Sequence, residues 1–228
     1  QHKLVDLEIE QQINTEIVGC IYKGVVKNIV PAVDGIFVDI GIGKNAFLRR
    51  KDLLNEKRFP TEGSPILAQV IKSDTDMKGA LITEKISMFG KYAVTLSGTG
   101  YIGVSKKIRQ EFVRKKLKEI GKEICAEHMG LIIRTAAENA DMDEFRKDIT
   151  RLKENWDIIQ KRFRMEKSPT LLYRESDIIV KALRDYVNKG TEILITDNRK
   201  IYERICKLNE SEHTIEPDKI SFGWIVDY

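Results

Sequence analysis

Residues 19–48 read "GCIYKGVVKNIVPAVDGIFVDIGIGKNAFL" and decide the fold of the first part of the chain. Apolar residues, many of them β-branched, come in short runs that turn residues interrupt. Asp34 and Gly35 form a pair that is typical of a hairpin turn, and Gly41 and Gly43 bracket a second bend. The stretch therefore predicts three consecutive strands.

Two more β-like runs follow before residue 86. They read "PILAQVIKSD" at 65–74 and "GALITEK" at 79–85. Pro65 opens the first of them, where its missing N–H costs least. Five short strands in about 70 residues suit a small Greek-key barrel, of which the OB-fold is the five-stranded type. We therefore expect an OB-fold barrel over residues 16–86.

The next region, residues 87–167, changes character. "YAVTL" and "YIGVS" indicate two strands around a turn, and "MGLIIRTAA" at 129–137 indicates a buried strand. Residues 106–125 have a helical apolar period, and residues 142–165 carry apolar side chains at spacings of three and four, which is typical of a long amphipathic helix. This region is predicted to be α+β.

A third unit is predicted from Ser168 to the end of the chain. Ser168 and Pro169 end the long helix, and a strand, a helix and a strand then alternate up to residue 197. Residues 198–208 indicate a further short helix, and "SFGWIVDY" at the end is strand-like. The whole chain is therefore expected to be an α+β multidomain protein.

Composition excludes two broad classes of protein. With 42% hydrophobic and 32% charged residues among 228, the chain is not disordered, and no apolar run approaches the length of a membrane span. The N-terminus does not resemble a signal peptide, so we expect a cytoplasmic protein. A net charge of +4 barely favours a nucleic-acid partner by itself.

No complete active site is visible in the sequence. The three cysteines match neither a disulfide framework nor a paired zinc ligand set, and no P-loop or nucleophile-elbow motif occurs. The histidines lack metal-ligand spacing; they are His2, His128 and His213. Aspartates at strand ends suit either a two-metal nuclease or ordinary turns, and they are Asp39, Asp197 and Asp227.

Two aromatic residues in the predicted barrel could bind unpaired bases. Phe37 and Phe47 could face outward and stack on bases, while Lys44 and Lys78 could meet phosphates. The alternative is that both rings belong to the core. The basic triplet at 49–51 could contact RNA or form a solvated face.

Two further cationic stretches are candidates for phosphate binding. Arg134 and Thr135 end a predicted strand, where a guanidinium and a hydroxyl could grip one phosphate, but such a pair is also common on exposed surfaces. Residues 106–122 form the most basic segment, which suits either an RNA backbone or a solvated helix with ion pairs such as Glu111 with Lys115.

Read in order, several blocks resemble the N-terminal half of the ribonuclease E/G family of bacterial endoribonucleases. They include residues 19–48, "KGALITEKISMFGKYAVTL", "GVSKKI", "MGLIIRTAA", "YRESDIIVKALRDY" and "EILITDN". The resemblance implies a ribonuclease H-like strand at 1–15, an S-one-type OB-fold at 16–86 and a sensor of the RNA 5′ end at 87–167. Residues 168–228 would return to the ribonuclease H-like part and lead toward a nuclease domain.

The resemblance also assigns roles to single residues. It implies base stacking by Phe37 and Phe47, RNA contact by Lys78, and a 5′-monophosphate held by Arg134 and Thr135, with Lys44 near the RNA path. The supporting positions of that phosphate site fall on Gly90, Val94 and Lys106. Many relatives have arginine where Lys106 stands, and a lysine cannot make the bidentate contact.

The activity that the resemblance implies is metal-dependent hydrolysis of single-stranded RNA, favoured by a 5′-monophosphate. The family's catalytic aspartates, which use magnesium, and its cysteine-held zinc link lie in a following nuclease domain, so Asp227 is not expected to be catalytic. We expect this chain to bind RNA without cutting it, and full-length members to form homo-oligomers. The alternative is a non-catalytic RNA-binding or ribosome-associated adaptor that uses an S-one-type barrel.

Overall fold

The computed structural model describes residues 4, 7, 17–75, 77–125, 129–175, 177–187, 190–212 and 215–223. The three histidines, Asp227 and, apart from positions 4 and 7, the strand expected at 1–15 lie outside the described residues. The chain divides into two compact units, one of Gln1–Asn14 with Ser176–Tyr228 and one of Thr15–Glu175.

The first half of the larger unit is a closed five-stranded barrel. Its strands are β1 (Ile21–Val30), β2 (Gly35–Asp39), β3 (Ala46–Arg49), β4 (Pro65–Lys72) and β5 (Leu81–Thr83). They pair in the order β1, β2, β3, β5, β4 and back to β1. Only the β3–β5 pair among these is parallel. This arrangement confirms the predicted OB-fold.

Strand alternation builds the barrel core. Ile36 and Val38 of β2 are fully buried, as are Ala46 and Leu48 of β3, while the residues between them are only half-buried. A period of two in burial is expected when one face of a sheet is packed and the other meets solvent. The outer barrel face therefore carries every second residue of β2 and β3.

A four-stranded sheet with two helices forms the rest of this region. Its strands are β6 (Ser87–Phe89), β7 (Ala93–Ser97), β8 (Ile102–Val104) and β9 (Met129–Ile133), in the order β6, β7, β9, β8. The strands predicted from "YAVTL" and "YIGVS" are confirmed, but β9 lies between them. The sequence pattern does not predict β6, because three residues are too few to show an alternation.

The two predicted helices of this region are α1 (Glu111–Ile124) and α2 (Met142–Met165). Asp141 begins α2 as its N-cap and accepts hydrogen bonds from the backbone N–H groups of Asp143 and Glu144. The apolar face of α2 packs into a buried cluster that includes Phe145 and Ile149. The amphipathic pattern thus places α2 against the sheet.

Strand β10 (Thr170–Tyr173) follows α2 and returns to the barrel. It pairs antiparallel with the start of β1, where Ile21 lies opposite Tyr173. The larger unit therefore extends to Glu175.

The smaller unit contains α3 (Ile178–Tyr186), β11 (Leu194–Thr196), α4 (Arg199–Glu212) and β12 (Ile220–Phe222). β11 and β12 pair in parallel, and a small core joins the helices to them. None of the helices that the structure describes is long and apolar enough to cross a bilayer. With the barrel and the second sheet, these elements confirm an α+β multidomain fold.

Candidate nucleic-acid interface

Phe37 and Phe47 form one aromatic pair on the barrel surface. They lie opposite each other in the register of β2 and β3, with ring centroids 5.4 Å apart and planes tilted by 52°. Both side chains are half-buried, and their strand neighbours supply the core instead. The two rings therefore lie outside the barrel core, on its surface.

Gly35 makes room for the ring of Phe47. A Cβ at position 35 would lie only 2.2 Å from Cε2 of Phe47 and 2.3 Å from its Cζ. No side chain tolerates such an approach, so the ring rests on bare backbone. The sequence marks Gly35 only as a turn residue, and nothing local signals its role beneath the aromatic pair.

Lys44 and Lys78 lie on two loops that pack together. The Nζ of Lys44 donates a hydrogen bond of 2.9 Å to the carbonyl of Thr75. The carbonyl oxygen of Asn45 approaches Gly79 so closely that a Cβ there would lie 1.9 Å away. Both lysines are exposed. The structure therefore brings them together beside the start of β3, the strand that carries Phe47.

Two residues of the basic triplet at 49–51 make contacts within the barrel region. Arg49 pairs with Asp52. Arg50 lies 3.5 Å from the carboxylate of Asp34 and stacks its guanidinium 4.4 Å from the ring centroid of Phe59. The side chain of Lys51 is exposed. These intramolecular contacts of the two arginines favour a role in folding over a role in RNA contact.

Arg134 lies directly after β9 and is tied to the loop that follows β6. Its backbone N–H donates to the carbonyl of Tyr92 at 2.8 Å. Its guanidinium donates to the carbonyl of Gly90 at 2.9 Å. The side chain is half-buried. The first bond fixes the backbone and the second orients the guanidinium, so this group is positioned before any anion binds.

Thr135 presents an exposed hydroxyl next to Arg134. Its Oγ1 lies 3.1 Å from the Oγ of Ser105, within hydrogen-bond distance. Ser105 is held in turn by its N–H, which donates 2.8 Å to the carbonyl of Ile133. Lys106 follows and is exposed. Sequence reasoning does not find Ser105; the signal that could have pointed to it is a hydroxyl residue at the end of the strand parallel to β9.

A buried carboxylate organises the Gly90 loop. Asp148 of α2 is only 6% exposed, and it accepts hydrogen bonds from the backbone N–H groups of Lys91 at 3.2 Å and Tyr92 at 2.9 Å. A Cβ on Gly90 would lie 2.4 Å from an oxygen of this carboxylate. Gly90 is therefore needed for close approach. Sequence reasoning misses Asp148 because it reads as one more charge in a charged helix.

A second bond ties the same loop to α2. The hydroxyl of Tyr92 donates to the carboxylate of Glu144 at 2.6 Å. Burial, followed by that hydrogen bond, raises the pKa of Tyr92 well above its ordinary value of 10.0. The phenol therefore remains a donor across the physiological range.

Val94 lies in an apolar row on the open face of the sheet. Its register partners are Phe89, which is 45% exposed, and Ile132, which is 40% exposed. The row ends near Arg134, since Ile132 lies two residues before it and Phe89 directly precedes Gly90. An apolar surface beside a fixed guanidinium can accept a ligand that has one flat apolar part and one anionic part.

Comparison with known proteins matches two family models to this chain. The model of the S1 RNA binding domain matches residues 16–83, which are the barrel. The model of the ribonuclease E/G family matches residues 87–222, which cover the sheet, its helices and much of the smaller unit.

Individual relatives agree with these models. The chain is 32% identical to ribonuclease G of Escherichia coli (strain K12) over 221 residues, which cover 90% of this chain and 45% of the relative. Identity to ribonuclease G of Haemophilus influenzae is 32% over 224 residues, or 91% of this chain and 46% of the relative. Ribonuclease E of Buchnera aphidicola subsp. Schizaphis graminum is 31% identical over 88% of this chain and 22% of the relative. The chain thus spans about half the length of the ribonuclease G relatives, and it belongs to the ribonuclease E/G family.

Proposed function

We propose that this chain is the RNA-binding and 5′-monophosphate-sensing portion of an endoribonuclease that cleaves single-stranded RNA in RNA processing and decay. One observation carries the proposal. Arg134 and Thr135 lie side by side where β9 ends, and we call this end of the strands the sheet edge. Hydrogen bonds to Gly90 and Ser105 hold the two residues there. An anion-binding pair that is fixed in advance loses little entropy when it binds.

The barrel binds RNA without regard to the base sequence of the RNA. Unpaired bases stack on Phe37 and Phe47, because every base has a π-face, and exposed Lys44 and Lys78 meet the phosphates between them. A duplex would not expose its bases in this way, so single-stranded RNA is the expected ligand.

The sheet edge supplies recognition of the RNA end. The Arg134 guanidinium donates to two oxygens of a terminal phosphate, and the Thr135 hydroxyl donates to a third. Lys106 adds a point charge without a bidentate contact. An RNA with a 5′-hydroxyl lacks the terminal charge and loses these bonds. The apolar row at Val94 receives the first base.

The full-length protein is proposed to be a cytoplasmic, metal-dependent nuclease that forms homo-oligomers. The family's magnesium and zinc ligands belong to its nuclease domain. Within the described ranges, no group of three or more His, Cys, Asp or Glu residues could hold a metal ion. The chain by itself is proposed to bind RNA without cutting it.

The test compares two RNAs of one sequence that differ only in a 5′-monophosphate or a 5′-hydroxyl. Their dissociation constants are measured with the native chain, with Arg134→Ala and with Arg164→Ala, a control that removes an exposed arginine from α2. We expect tighter binding of the phosphorylated RNA, a preference that Arg134→Ala abolishes and the control keeps. Equal affinities in the native chain would overturn sensing and leave the RNA-binding adaptor as the better function.

A further inference from the structure

Residues 106–124 form a basic segment that the proposed function does not use, apart from Lys106. The segment holds eight lysines and arginines but only three glutamates. It consists of the turn after β8 and the whole of α1. Three carboxylates cannot neutralise eight cations, so the segment keeps a net positive charge.

The acids of this segment neutralise the outer face of α1 only in part, since exposed Glu119 is one charge against four exposed lysines. Glu111 lies 3.9 Å from Arg114 rather than pairing with Lys115, the partner predicted from helical spacing. Glu123 accepts hydrogen bonds from the guanidinium of Arg146 on α2 at 3.0 Å, and these bonds lower its pKa. Over the part of the chain that the structure describes, no ion pair involves the four exposed lysines of α1, namely Lys115, Lys116, Lys118 and Lys122.

An aromatic ring projects from the same helix. Phe112 is 78% exposed, whereas Leu117 and Ile120 of α1 are buried in the core. An exposed phenylalanine in the first turn gains little from packing. Next to exposed lysines, however, it can stack on an unpaired base.

Hydrogen bonds fasten the start of α1 to the proposed phosphate site. Arg114 donates to the carbonyls of Ser105 at 2.7 Å and Ile108 at 2.9 Å. Ser105 in turn contacts the hydroxyl of Thr135. The 14 residues of α1 extend about 21 Å from that point. An RNA strand whose 5′ phosphate lies at Thr135 can therefore continue onto this cationic helix, which packs against Leu131 and Ile133 on the face of the sheet opposite the row at Val94.

We infer that α1 binds the backbone of single-stranded RNA immediately downstream of the 5′ end, with Phe112 stacking on a base and the four exposed lysines facing phosphates. The inference rests on the proposed function for the position of the 5′ end. The favoured partner is a single-stranded polyanion with exposed bases, because both the lysines and the aromatic ring are then used.

The experiment replaces Lys115, Lys116, Lys118 and Lys122 with alanine together. The control replaces four exposed lysines outside the segment, which are Lys161, Lys167, Lys200 and Lys207. Binding is measured over a salt series with three probes: a single-stranded RNA longer than the helix with a 5′-monophosphate, the same RNA with a 5′-hydroxyl, and adenosine 5′-monophosphate.

We expect the α1 variant to bind both RNAs more weakly and to keep the ratio between them, while its affinity for adenosine 5′-monophosphate is unchanged. The slope of log affinity against log salt should become shallower by about 0.7 for each phosphate that the helix no longer neutralises, or roughly 3 if all four lysines face phosphates. Phe112→Ala should weaken RNA binding about tenfold. For the control variant, the slope of log affinity against log salt should stay close to that of the native chain.

Three outcomes would overturn the inference. Unchanged RNA affinity would show that α1 is only a solvated helix. An equal decrease in the control would show a diffuse charge effect. Equally tight binding of a polyglutamate peptide, abolished in the same variant, would assign the surface to an acidic protein. Failure of the proposed function is distinct, because it appears as equal affinities of the native chain for the two RNA ends.

Discussion

The two proposed contact regions, the barrel surface and the sheet edge, are built in different ways. The aromatic pair on the barrel depends on the register of two neighbouring strands and on the space above Gly35. The sheet edge depends on Arg134 and on the carboxylate of Asp148, which comes from a helix distant in sequence. The proposed base-binding surface is thus local in the chain, whereas the proposed site for the RNA end is assembled from distant parts.

The largest expected effect follows from removing the carboxylate of Asp148. Asp148→Ala leaves the buried N–H of Tyr92 without an acceptor, and each such group costs about 1–3 kcal/mol. With the second N–H from Lys91, we expect the free energy of unfolding to fall by about 3 kcal/mol. Chemical denaturation measures this change.

A second measurement separates the two regions. At a temperature where the variant is folded, Asp148→Ala should lose the preference for a 5′-monophosphate and keep its affinity for 5′-hydroxyl RNA. Asp157→Ala, on the exposed side of the same helix, is the matched control and should change neither. A parallel decrease in affinity for 5′-hydroxyl RNA would show that the two regions are not independent.

The barrel offers the complementary experiment. Phe47→Ala should weaken the binding of both RNAs by about 1–3 kcal/mol, because one stacking surface is removed, and should leave the 5′-monophosphate preference intact. Fluorescence anisotropy with labelled RNA measures both quantities. A large decrease in stability without a change in affinity would instead assign the ring to packing.

Gly35→Ala tests the same surface without removing the ring. The added Cβ meets the ring of Phe47, so we expect a decrease of about 1–3 kcal/mol in the free energy of unfolding and weaker RNA binding. The double variant with Phe47→Ala should be more stable than the sum of the single changes predicts. Additive changes would contradict the contact between position 35 and the ring.

A smaller effect is expected at Ser105. Ser105→Ala removes the hydrogen bond to the Thr135 hydroxyl and the acceptor of the Lys107 N–H, and each bond contributes about 1 kcal/mol. The preference for a 5′-monophosphate should fall a few-fold, and affinity for 5′-hydroxyl RNA should not change. Ser105→Thr keeps a hydroxyl and should keep the preference. If it does not, the effect of alanine is not due to the missing bond.

The smallest effect lies at the junction between the barrel and the second sheet. Burial raises the pKa of Glu84 above its ordinary value of 4.5, although the N–H of Leu54 donates to its carboxylate. The native state therefore binds the proton more tightly than the unfolded state, and the stability from this group is lost as pH rises above 4.5. Glu84→Gln does not titrate, so its free energy of unfolding should rise relative to that of the native chain as pH increases. Urea unfolding at several pH values measures this difference.

Local pattern was enough to predict most of the barrel. The runs in residues 19–48 alternate clearly, and Asp34 with Gly35 marks the turn between β1 and β2, so the strands could be placed without a partner. The pairing of β10 with β1 could not be predicted, because nothing in residues 170–173 identifies a strand about 150 positions earlier as its neighbour.

Only part of the candidate site could be predicted, because contacts between residues far apart in the chain leave no local pattern. Residue chemistry alone left Phe37 and Phe47 between core and surface, and the family resemblance selected the positions at the sheet edge. Asp148 and Ser105 carry no local signal, since their roles consist of contacts to residues far along the chain. The RNA contacts themselves stay predictions until binding is measured.

The pairing of β10 with β1 has a consequence for protein engineering. Ile21 lies opposite Tyr173, and Gly19 lies so close to Glu175 that a Cβ on it would meet that side chain at 2.7 Å. The larger unit therefore starts and finishes at one place on its own surface. A segment with adjacent ends is suited to insertion into a loop of another protein through short linkers, so we expect residues 17–175 to tolerate such an insertion.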